Sequence, residues 1–214
     1  ILKAYSGKDK ENGTPFITMN RSTSVRNLSI WYPEQDYNNV HAYPFTIAGG
    51  EKQDTISVMN VTLYNSYKGI QLGQNGYANG VNVFRNLYAT ILKAGVIQDN
   101  TFDVARNENV YFKADYWIHS GLAGAPSSSA AQSALKAYMA ANAVGFEFRR
   151  VDWIYMHNIN IRDMKTGIYT NGNCNGQIYG LNIDDVNVGL HFERLYIPGF
   201  EITNSTINAT KGSR

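Results

Sequence analysis

The 214-residue chain contains a single cysteine, Cys174. No intramolecular disulfide is possible, so stability must come from a buried core, which a chain of this length can build. Proline is scarce at five residues, and charged residues are 17% of the chain against a typical ~25%. Lys plus Arg number 19 and Asp plus Glu 17, a formal net charge of +2. That balance argues against a nucleic-acid binder with a basic surface and against an acidic disordered tail. No apolar run approaches the ~18 residues of a membrane-spanning helix, so no membrane insertion is expected. The four histidines (His41, His119, His157, His191) show no ligand spacing, so neither a structural zinc nor any other cofactor is expected. Calcium held by Asp and Glu stays open without a pattern to support it. The chain starts at Ile1 without Met and without a signal-peptide pattern. It therefore reads as a processed chain or a piece of a longer one, with flanking parts expected.

What the sequence has in quantity is Asn (24), Gly (19) and Tyr (15). Much of the Asn and Gly falls into a repeat. One element is Asn followed by apolar, any, apolar: Asn27-Leu28-Ser29-Ile30, Asn60-Val61-Thr62-Leu63 and Asn158-Ile159-Asn160-Ile161, with weaker members starting at Asn86, Gly180 and Asn204. The other starts at Gly69, Gly95, Gly145, Gly167 and Gly189. Gly69, Gly95, Gly167 and Gly189 each lie nine residues after Asn60, Asn86, Asn158 and Gly180. A third short strand precedes each Asn, as in Ile56-Ser57-Val58. Three short strands per repeat predict an all-β, right-handed parallel β-helix of about seven coils, stacked ~4.8 Å apart. Residues 1–214 then form one domain. Val58 and Val61 both read as inward with two residues between them, so the chain must bend at Asn60, and Asn tolerates the left-handed conformation required. Two insertions, at about 31–43 and 113–144, fall between an Asn strand and a Gly strand. The second should hold an α-helix near 129–143, capped by its Ser run, with Leu135, Tyr138, Met139 and Asn142 on one stripe and Gly145 as the stop.

These rungs resemble the pectin-lyase-like superfamily of right-handed β-helices. The stretches "RNLSIWYPEQ" (26–35) and "ADYW" through "VGFEFRRVDWIYMHNINIRDMKTGIY" (114–169) are similar to bacterial pectate-lyase-like, glycoside-hydrolase-28-related members. The resemblance implies action on or binding of polysaccharides, outside the cell or at its surface. The polygalacturonase motifs are absent: Asp184-Asp185 has no Gly-His-Gly after it. An Arg-x-x-Pro-x-x-Arg lyase motif is absent too.

The register predicts one outward ladder of Gln71, Ile97, Glu147, Tyr169 and His191, and a second of Gly73, Asp99, Arg149, Asn171 and Glu193. A face with acids, a base and aromatic rings suits a sugar groove. Glu147, Asp99, Arg149 and Glu193 are the catalytic candidates; Tyr169, His191, Asn171 and Gln71 are candidates for substrate binding. A hydrolase needs carboxylates about 5 Å or about 6.5–9.5 Å apart; Asp99 with Glu147, or Glu147 with Glu193, fits those spacings. A lyase needs a base and a cation for a uronate, roles open to Arg149 or Arg150. The bland alternative is that Asp99 and Arg149 simply pair. A second substrate-binding cluster gathers Trp117, Trp153, Arg150 and Asp152 with Asp115 and His119, although Arg150 and Asp152 can also pair with each other. Glu34 and Asp36 can reach the groove rim. The rival function is a non-catalytic carbohydrate-binding or tailspike-like protein. Outward ladders that look largely polar favour a monomeric groove over a trimer.

Overall fold

The computed structural model describes residues 1–209. Its strands are β1 (Leu2–Lys3), β2 (Ile17–Met19), β3 (Ser24–Trp31), β4 (Phe45–Gly49), β5 (Ser57–Leu72), β6 (Asn82–Gln98) and β7 (Ala105–Phe112). After the helices α1 (Asp115–Ile118) and α2 (Ser129–Asn142) come β8 (Val144–Phe148), β9 (Val151–Arg162), β10 (Thr166–Thr170), β11 (Cys174–Val186), β12 (Val188–Phe192), β13 (Phe200–Thr203) and β14 (Thr206–Ala209).

Among the described residues every strand pair is parallel. A sandwich of hairpins is thereby excluded, and the all-β parallel architecture is the one the repeats predict. Two ladders run along the molecule. The first follows β1-β3-β5-β6-β7-β9-β11-β13 and carries the Asn elements. The second follows β2-β4-β5-β6-β8-β10-β12 and carries the Gly elements. Inward rows are aliphatic or aromatic, as in Leu28-Val61-Leu87-Val110-Ile159-Leu181 and Ile47-Ile70-Val96-Phe146-Ile168-Leu190. Most of these side chains are fully buried and form one continuous core.

The bend between inward positions is made as the alternation requires. Asn27, Asn60, Asn86, Asn109 and Asn158 all have φ between 54° and 59°. Their amides link successive repeats: Asn60 Nδ2 donates to Asn27 Oδ1 at 2.8 Å, Asn86 to Asn60 at 2.7 Å, Asn109 to Asn86 at 2.9 Å and Asn158 to Asn109 at 2.9 Å. Asn109 opens a further repeat unit, Asn109-Val110-Tyr111-Phe112, beyond those named from the sequence.

The Gly ladder reflects close approach. A Cβ on Gly95 would lie 2.3 Å from the Gly145 carbonyl oxygen, and one on Gly145 would lie 2.6 Å from that of Gly167. Gly145→Ala is therefore expected to lower unfolding free energy by about 1–3 kcal/mol in denaturant titration. At an unconstrained site the same change would raise it by about 0.4–1 kcal/mol, so the sign decides.

Gly145 is accordingly not the helix stop. α2 ends at Asn142 because Ala143 turns extended (φ −87°, ψ 137°), and Gly145 already lies in β8. Ser128 caps the helix, its hydroxyl accepting from the Ala131 N–H at 3.2 Å. The buried stripe is Ala131, Leu135 and Met139; Asn142 is exposed. The two insertions pack on each other, with Tyr37 edge-on to Trp117 (6.2 Å, 73°). Cys174 is buried, and burial pushes its thiol up to about 11, so it is no nucleophile at neutral pH. No helix among the described residues is long and apolar enough to cross a membrane.

Candidate functional site

A groove of about 810 Å³ lies on the outer face of the second ladder. Its floor is the outward row Ala48-Gln71-Ile97-Glu147, which the parallel register holds in line. Phe45, Ala48, Ala94 and Ile97 form a small apolar cluster there, separate from the core. The rim comes from residues 11–15, the turn Gln74–Gly76, the end of α2 at Asn142 and the segment before β10 at Lys165.

Four cations, Lys68, Lys93, Arg149 and Lys165, face two carboxylates, Glu11 and Glu147, in this lining. Lys68 is 7% exposed, with its ammonium 4.8 Å from the centre of the Phe45 ring. Burial pulls its pKa below the ordinary lysine value, and Glu11 at 3.6 Å offsets only part of that. Glu11 also lies 3.8 Å from Lys93, so one carboxylate bridges two lysines from neighbouring repeats.

Arg149 gathers the predicted acids. Its Nε is 2.7 Å from Glu147 Oε1, and its Nη1 is 3.8 Å from Asp99 Oδ2. The other oxygen of Asp99, Oδ1, accepts from the backbone N–H groups of Asn100 (2.8 Å) and Arg150 (3.2 Å), so Asp99 also shapes the turn. Gln71, Glu147 and Arg149 thus line the groove, with Asp99 behind Arg149. Tyr169 and His191 continue the same row beyond it. The Tyr169 hydroxyl donates to Glu193 Oε2 at 2.8 Å, and that hydrogen bond raises the phenol's pKa. His191 lies 3.8 Å from the same carboxylate, and Asn171 is exposed beside them.

The predicted second cluster comes apart. Trp117 is fully buried in the core with Leu135 and Met139, so it cannot touch a substrate. Arg150, Asp152 and Trp153 line a different pocket, at the turns that lead into the first ladder, and Arg150 Nη2 does pair with Asp152 at 2.8 Å. Glu34 turns to Lys8 (3.7 Å), while Trp31 and Tyr32 are buried. The polar exterior also has an exception: Trp153, Tyr155 and Tyr179 are exposed on the outer face of the first ladder. Sequence reasoning missed Glu11, Lys68, Lys93 and Lys165. A signal existed for the lysines, each of which stands one or two residues before a ladder glycine. Glu11 sits in a segment with no repeat register. Among the described residues no three His, Cys, Asp or Glu side chains converge to hold a metal ion. Comparison with family models, curated proteins and solved structures finds no match for the chain.

Proposed function

We propose that the chain is a polysaccharide-active right-handed parallel β-helix of about seven coils, acting outside the cell or at its surface, and that its groove cleaves an acidic polysaccharide by β-elimination. The observation that carries this reading is Lys68: a lysine held largely out of water, with its pKa lowered, inside a groove of excess positive charge. Lowering a lysine's pKa makes more of its neutral amine available as a general base at a given pH. It would take the proton alpha to a uronate carboxylate; a carbon–carbon double bond forms as the glycosidic carbon–oxygen bond breaks, and the departing oxygen takes a proton from water or from the Lys68 ammonium. Lys93, Lys165 and Arg149 would neutralise uronate carboxylates and the charge that builds up as the proton departs. Lys93, held by Glu11 at 3.8 Å, would exchange that partner for a uronate carboxylate.

Hydrolysis fits the residues less well. It needs one carboxyl free to protonate the leaving oxygen, yet Glu147 and Asp99 both engage Arg149. The test is a panel of uronate-containing and neutral polysaccharides followed in parallel for ultraviolet absorbance of an unsaturated product and for new reducing ends. Absorbance on acidic chains is the expected result. Reducing ends without absorbance would replace elimination by hydrolysis. Salt-sensitive binding without any cleavage would leave the carbohydrate-binding alternative.

A further inference from the structure

A second pocket, of about 610 Å³, opens on the first ladder, with Arg150, Asp152, Trp153, Asn173 and Tyr196 in its walls. Its central feature is a backbone distortion. Between Val151↔Cys174 and Ile154↔Gly176 the pairing slips, so Asp152 and Trp153 together oppose the single residue Asn175. This is a β-bulge, and bulges re-aim side chains. Trp153 takes φ = 55°, a conformation suited to Gly or Asn and strained for a large ring. Asn175 holds it there: its Oδ1 accepts the Trp153 N–H at 2.9 Å, and its Nδ2 donates to the Ile197 carbonyl at 3.1 Å. The strained tryptophan is not used for the core. It is 40% exposed, beside Tyr155 at 36%, with the rings 6.2 Å apart and 15° from parallel. Ser22, Thr55 and Val81 occupy the same register position in earlier repeats at φ 52–57°, so the left-handed turn belongs to the corner, and what sets this repeat apart is that its corner residue is an exposed aromatic ring.

The polar groups indicate the ligand. Arg150 and Asp152 pair, so these two charges cancel. The Arg150 guanidinium lies flat against Phe102 (3.7 Å), and its Nη1 is shielded from solvent without a hydrogen-bond partner. The pocket therefore offers exposed rings and the Asn173 side chain, with no excess charge. That suits an uncharged, hydroxyl-rich molecule with apolar C–H faces.

We infer that this pocket is a second carbohydrate site, specific for neutral glycan chains, with Trp153 and Tyr196 as stacking rings and Asn175 as the positioning residue. It lies on the other ladder from the cationic groove and rests on none of the groove's chemistry. The site would hold a neutral chain, or neutral stretches of a mixed one, while the groove handles acidic units.

Trp153 makes the test specific. Of three tryptophans, Trp31 (8% exposed) and Trp117 (0%) are buried, so iodide quenching of tryptophan fluorescence reports Trp153. Cellohexaose, maltohexaose and laminarihexaose are the probes, with an oligogalacturonate as the charged control. At least one neutral probe is expected to abolish iodide quenching in the wild-type chain, and the charged control to leave it unchanged. Trp153→Gly is expected to lose all binding of that probe by calorimetry while its thermal midpoint stays the same or rises, because glycine removes the strain. No protection by any neutral probe would overturn the proposal. So would binding retained in Trp153→Gly, or quenching lost with rising protein concentration alone, which would make the surface an interface between copies of the chain. Sedimentation velocity separates that last case. Polysaccharide cleavage assays are untouched by these outcomes, so the two sites stand or fall separately.

Discussion

Lys68→Met is expected to cut turnover of an acidic polysaccharide by about 10²–10⁴-fold, the usual worth of a positioned general base. The loss should fall on kcat, with KM little changed, because the proton is taken only in the transition state. Methionine keeps an unbranched apolar stem against Phe45, and Glu11 retains Lys93, so the fold should be unaffected. Lys93→Ala is the contrast: it removes a charge that holds substrate and should raise KM. The pH profile has a defined sign. The neutral amine is the active form, and burial lowers the Lys68 pKa, so activity should rise with pH and level off below the ordinary lysine value. Steady-state kinetics of both variants across pH, with circular dichroism for fold, would check this. A Lys68→Met enzyme with wild-type kcat would remove lysine from the mechanism.

Asn109→Ala is expected to be among the most destabilising single changes at the repeat corners, at about 3 kcal/mol. Two independent terms add. Alanine in the left-handed conformation costs about 1–2 kcal/mol, and Asn109 sits at φ = 54°. The ladder bonds to Asn86 and Asn158 are both lost, at about 1 kcal/mol each. For a chain of this size that is a fall of about 6–12 °C in thermal midpoint. Asn109→Gly separates the terms, since glycine accepts the conformation and loses only the bonds, leaving about 1–2 kcal/mol. Equal losses in the two variants would mean that backbone conformation contributes nothing at this corner.

The Asn corners were legible because their cause is local. Two inward residues flanking a two-residue gap force a bend, and Asn is the side chain that bears it. Asn109 was overlooked only because Asn107 stands two positions earlier and blurs the pattern, although Asn109 lies 23 residues after Asn86. The row Gln71-Ile97-Glu147-Tyr169-His191 could be written down in advance, since a parallel ladder preserves register across an insertion. Trp117 was misplaced for the opposite reason: inside an insertion there is no register, and only packing against Tyr37 and α2 decides that it is buried. The helix was recognised from its Ala-rich stripe, but its end was misassigned, because Gly145 serves the ladder rather than the cap.

By itself, then, the sequence determined the parallel stacking, the corners and the order of side chains along each ladder. Those follow from periodicity two, left-handed Asn and the absence of space at Gly. Only the tertiary structure decided which of those side chains share a cavity. It brought Glu11, remote in sequence, between Lys68 and Lys93, tied Asp99 and Glu147 to one guanidinium, and turned Trp153 outward on a bulge away from the groove. These contacts join non-repeating segments across the stack, and no local rule of spacing encodes a distance between chain segments that meet only when the whole is folded.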